Sequence, residues 1–97
     1  MENHDELILN ASRDLIADFM RARRLELGLS QRKLSELSGI SVITIVRFEH
    51  RGAWINFKQY LLLCKYLDLY PFVGTKESDE SYSKLMRERW QRPGDSN

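Results

Sequence analysis

Catalysis and metal binding need particular residue types held in pairs, and this chain has few of them. His4 and His50 are the only imidazoles and Cys64 is the only thiol, with no carboxylate pair and no glycine-rich phosphate loop beside them. A zinc site would need thiolate and imidazole ligands that do not exist here, and a single cysteine closes no internal disulfide. An enzyme, a metal centre and a cofactor are therefore not expected. Cys64 falls on an apolar helix face, where it reads as a small buried hydrophobe. What the sequence offers instead is residues 30–49, two short helical patterns joined at Gly39. Two helices of that size, the second turned to solvent, make a unit that fits the major groove of DNA.

The elements that must position such a unit follow from periodicity and caps. Leu7, Ile8, Ala11, Leu15, Ile16, Phe19, Met20, Arg23 and Leu27 fall at three- and four-residue steps, which predicts an amphipathic helix stopped by Gly28. Either Asn3 or Asn10 can cap it, so the chain begins as one long rod or as a short arm followed by a helix. Ser30 can cap a second helix over 31–38, with Leu34 and Leu37 as its buried stripe and Ser38-Gly39 as its end. Ser41 can cap a third over 42–50, closed by Gly52. The β-branched run Ile43-Thr44-Ile45-Val46 favours a strand by propensity alone, but Ile45 and Phe48 share a helical face, with Ile40 completing their cluster. Asn56 with Gln59 resembles a capping box for a fourth helix carrying Phe57, Tyr60, Leu61, Cys64 and Leu67 on one face, with Pro71 as its expected stop. After a polar linker over 74–79, Tyr82, Leu85, Met86, Arg89 and Trp90 mark a last helix before a loose tail. This C-terminal stripe is expected to pack on the globule or across a dimer. The expected organisation is an N-terminal arm or helix extension over 1–12, a helix-turn-helix domain over 13–73, and a linker, helix and tail over 74–97.

Length and composition set limits. At 97 residues the chain can close one hydrophobic core, and 42% apolar with 30% charged residues keep it away from the composition of disordered chains. The longest apolar run, residues 60–64, cannot span a bilayer, and the first residues are acidic where a secretory signal is basic. A cytoplasmic chain with no membrane partner is the expectation. Net charge is only +1, yet residues 13–51 carry eight bases against five acids, a local excess of +3. That bias suits a polyanionic partner, although a solvated helical face looks much the same.

Close crossing of two short helices imposes residue types of its own. The turn needs a residue at ease with positive φ, for which Gly39 is placed, and the crossing needs a small side chain, which Ser35 supplies. Leu34, Ile40, Ile45 and Phe48 then fill the wedge. The ordered set Gly28-Leu29-Ser30-Gln31, Leu34-Ser35-Glu36-Leu37-Ser38-Gly39-Ile40-Ser41 and Ile45-Val46-Arg47-Phe48-Glu49 resembles the phage-repressor and Cro-type helix-turn-helix family, also called XRE, over residues 18–69. The resemblance implies an all-α, lambda-repressor-like five-helix DNA-binding domain, here with an additional C-terminal helix. It further implies a homodimer on near-palindromic double-stranded DNA and a role in transcriptional regulation. Ser35 departs mildly from the alanine usual in the family.

Site roles follow from that resemblance position by position. Gln31 matches the glutamine that bonds a DNA phosphate, and Ser30 stands beside it at the helix start, where phosphates are favoured. Ser41, Val42, Ile43, Val46, Arg47 and His50 match positions from which base edges are read. Arg47 is foremost, because its fork can bond guanine O6 and N7 together. The apolar group Val42, Ile43 and Val46 fits either thymine methyls or a protein partner, and Thr44 on the flank can reach a phosphate. Arg51, Asn56 and Lys58 match a second phosphate-contacting run, with Trp54 either joining them or packing on the core. Arg24 and Glu49 match positions that pair as ions, a structural role. The tract 56–69 is similar to the fourth helix of HipB-like antitoxins, which implies the rival role of a module that binds a toxin partner as well as its operator.

Overall fold

The computed structural model describes residues 3–50, 52–71 and Glu88. Those residues form an all-helical chain with the order α1 (His4–Glu26), α2 (Gln31–Ser38), α3 (Val42–His50) and α4 (Phe57–Tyr66). The β-branched run is helical because Ile45 and Phe48, both buried, anchor one side of α3 in the core. Tertiary burial overrides propensity there. Four of the expected helices are thus present among the described residues. The C-terminal stripe of Tyr82, Leu85, Met86 and Trp90 lies outside them.

Helix α1 is a single rod. Asn3 caps it, its side-chain oxygen accepting from the Glu6 amide at 2.8 Å. Gly28, at φ +71°, ends it. There the Gly28 and Leu29 amides donate to the Leu25 and Arg24 carbonyls at 3.0 and 3.1 Å, the two bonds of a Schellman stop. Helix α4 stops earlier than Pro71 suggests, for the same reason. Asp68 takes a positive φ of 60°, and the Leu69 amide donates back to the Cys64 carbonyl at 2.9 Å. The sequence carries no glycine at that position to announce the stop.

Helix α3 packs against both α1 and α2, and α2 also meets α4. The core they enclose is Ala17, Met20, Leu34, Ile40, Ile45, Phe48, Leu63, Cys64 and Leu67. Several expected core positions differ. On α1 the buried side is Ala17, Met20 and Arg24, whereas Leu15 and Phe19 stand 72% and 63% exposed. Apolar residues occur nearly all round this helix, so periodicity fixes the helix but leaves its core face undetermined. On α2 Leu37 is partly exposed, at 39%, and Ser38 is buried instead; on α4 Phe57 is exposed and Leu63 takes the inward place.

Candidate nucleic-acid interface

The turn between α2 and α3 is built by backbone conformation and two serines. Gly39 adopts φ +77° and its amide donates to the Ser35 carbonyl at 2.9 Å. A Cβ there would meet nothing within 4 Å, so the requirement for glycine is purely conformational. The Ser35 hydroxyl donates to the Ile40 carbonyl at 2.6 Å, across the turn. The Ser38 hydroxyl donates to the Leu34 carbonyl at 2.8 Å and accepts from the Ile40 amide at 3.2 Å. Ser35 is therefore a tether as well as a small residue, a role that size alone does not disclose.

Ser41 opens α3. Its Oγ accepts from the Thr44 amide at 3.2 Å and shares a 2.8 Å hydrogen bond with the Thr44 hydroxyl. Both hydroxyls, proposed for a base and a phosphate, are thus paired with each other in the free chain. Behind α3 lies a buried ion pair. Arg24 Nε and Nη2 donate to the two Glu49 carboxylate oxygens at 2.8 and 2.9 Å, and Arg24 Nη1 donates to the Leu29 carbonyl at 2.8 Å. The fork geometry satisfies both charges and fixes the end of α3 against α1 and the α1–α2 turn.

Gln31 joins this network. Its Nε2 donates to Glu49 Oε1 at 2.9 Å and lies 3.2 Å from His50 Nε2. Donation to His50 requires the tautomer with its proton on Nδ1. With both amide hydrogens so placed, Gln31 can donate to a further acceptor only by giving up one of these contacts, because its own carbonyl oxygen cannot bond an anion. This link between α2 and α3 has no signature in the sequence: the two residues stand far apart in the chain.

The remaining positions sort by exposure. Ile43 is 59% exposed, Val42 and Arg47 are exposed, and Val46 is half-buried. These four line one shallow depression on α3, so the guanidinium stem and the apolar patch form a continuous surface. At the start of α2, Ser30 Oγ accepts from the Lys33 amide at 2.9 Å. Arg32 and Lys33, exposed in that first turn, add positive charge beside Gln31; their adjacency to Gln31 is the signal for including them. At the start of α4, Asn56 and Gln59 form a reciprocal capping box, their side chains accepting from each other's amides at 2.7 and 3.0 Å. Lys58 is exposed there, and Arg51 lies outside the described residues. Trp54 is 58% exposed, with the Arg13 guanidinium 5.0 Å from its ring centroid. That cation contact, rather than core packing, holds the indole.

No group of three or more His, Cys, Asp or Glu suited to a metal occurs among the described residues. Cys64 is buried, and that burial pushes its thiol upward against a smaller opposing effect of its Tyr60 hydrogen bond. Burial also raises the Tyr60 hydroxyl from 10.0 to about 12, with Cys64 adding to the shift. Both groups stay neutral, the reverse of what an activated nucleophile needs. No described helix is long and apolar enough to cross a membrane.

The geometry is that of a helix-turn-helix, and the model of the helix-turn-helix family matches residues 20–73. That match spans more than half of the chain, which belongs to the XRE-type helix-turn-helix family of DNA-binding regulators. Neither the curated proteins nor the solved structures yield a match.

Proposed function

We propose that the chain is a sequence-specific transcriptional regulator that inserts α3 into the major groove. The observation that carries this reading is the division of α3 into two sides. Ile45, Phe48 and Glu49 are buried and fixed, while Val42, Ile43 and Arg47 stand exposed on the other side with Val46 between. A rigid rod presented in this way suits base readout, since pre-positioned side chains lose little freedom on binding. Arg47 then bonds a guanine through its fork, and Val42, Ile43 and Val46 meet thymine methyls, which points to a half-site pairing a guanine with A·T steps. Ser41 contributes a hydroxyl to the same groove. Ser30, Gln31 and Thr44 contact one phosphate run, and Arg51, Asn56 and Lys58 a second.

One recognition helix buries little surface, so two copies on a near-palindrome are expected, with half-sites about 34 Å apart. The test is a salt-titrated binding assay on the gene's own upstream DNA. Arg47→Ala is expected to lose discrimination worth about 1–3 kcal/mol at one base pair. Gln31→Ala is expected to weaken all sequences alike with the salt slope nearly unchanged, because glutamine carries no charge, whereas Lys58→Ala is expected to weaken all sequences and to reduce the slope by roughly one. If all these variants bind as the native chain does while another protein co-purifies with it, the interaction-module reading replaces this one.

A further inference from the structure

Helix α1 has a second apolar face that no described residue covers. Leu15 and Phe19 lie mid-helix yet remain largely exposed. Together with Ile16, Tyr60, Leu69 and Tyr70 they line an open groove of about 410 Å³ between α1 and α4. An open apolar groove is the kind of surface that marks interaction sites.

Three observations point to the occupant. The described chain leaves the fold at the edge of the groove, since Leu69 and Tyr70 line it and Pro71 follows. The sequence beyond carries a matching pattern: Tyr82, Leu85, Met86 and Trp90 fall on one face of a helix. Glu88, the described residue of that segment, is helical and exposed, as the polar side of such a helix requires. Charge agrees as well. Residues 81–92 hold Lys84, Arg87, Arg89 and Arg92 against Glu88 alone, while Asp18 stands exposed on α1 one position before Phe19; Asp14, one position before Leu15, is already paired with Arg13 at 3.0 Å.

We propose that residues 82–90 of the same chain dock in this groove as an amphipathic helix, setting Tyr82, Leu85, Met86 and Trp90 against Leu15, Ile16 and Phe19. The connecting stretch 72–81 reaches up to roughly 33 Å when extended, so it imposes no obstacle. A short tether also holds the segment at an effective concentration in the millimolar range, which favours it over the same segment of a second copy in dilute solution. The docking is independent of the DNA reading.

Hydrogen exchange on the full chain tests it. Amides of residues 82–90 are expected to exchange about tenfold or more slowly in the native chain than in Phe19→Glu. Phe19 is not part of the described core, so this variant should keep the native helical circular dichroism. Equal exchange in the two chains overturns the proposal. So does protection that grows with protein concentration, which would assign the groove to a second copy. An independent check uses Cys64→Ser chains carrying Phe19→Cys and Leu85→Cys together. A disulfide within the monomer supports docking; a cross-linked dimer alone, or no disulfide, overturns it.

Discussion

The Arg24–Glu49 pair is the residue on which α3 depends most, because two desolvated charges satisfy one another only while both are present. Glu49→Ala leaves Arg24 buried and unpaired, and is expected to cost about 3–5 kcal/mol in urea unfolding. A joint Arg24→Met, Glu49→Leu chain should cost much less, since no charge is stranded. Tyr60 and Cys64 set a second residue-scale expectation. Their native values are raised above the ordinary 10.0 and 9.0. The unfolded chain therefore sheds these protons first as pH rises, and stability present below pH 9 declines from there up to about 12. Thermal melts across that range should show the decline, and Tyr60→Phe should flatten its upper part. At pH 8 the native Cys64 thiol should resist a disulfide-exchange reagent that labels it at once in denaturant.

At the scale of elements, the α2–α3 turn combines one left-handed glycine with two serine tethers. Gly39→Ala meets no clash but must hold a positive φ, so about 1–2 kcal/mol of stability is expected to be lost. Ser35→Ala removes the bond to the Ile40 carbonyl while gaining helix propensity, and a net loss nearer 0.5–1 kcal/mol is expected. Denaturant midpoints of the two variants rank the contributions. The caps were legible in the sequence: Asn3 or Asn10 for α1, Ser30, Ser41, and Asn56 with Gln59 are local features, and all but the choice between Asn3 and Asn10 are settled by residues a few positions apart. The face that α1 turns inward was not, because Leu15 and Phe19 are as apolar as anything that is buried. Arg24 is drawn inside by Glu49, a partner 25 residues away that periodicity cannot register.

For the whole molecule, the reading of a dimer on two half-sites carries a geometric consequence. Adding about 5 base pairs between half-sites turns them to opposite sides of the duplex, and cooperative binding should vanish in a gel-shift series while a single half-site still binds weakly. Restoring a full turn of about 10 base pairs should recover much of the cooperativity if the dimer tolerates the added distance. Salt enters at this scale too, since each phosphate contacted by Lys or Arg steepens the dependence of affinity on ionic strength.

By itself the order of residues determined the four described helices, the amino-terminal caps of α2, α3 and α4, the glycine at the turn and the candidate recognition helix, because each depends on interactions within about one helical turn or on a composition that any core must share. Tertiary structure alone decided which side of α1 is buried, that Gln31 reaches Glu49 and His50, and that Leu15 and Phe19 border an open groove. Those outcomes depend on distant segments meeting in space, and no local pattern encodes which of two equally apolar faces a neighbour will cover.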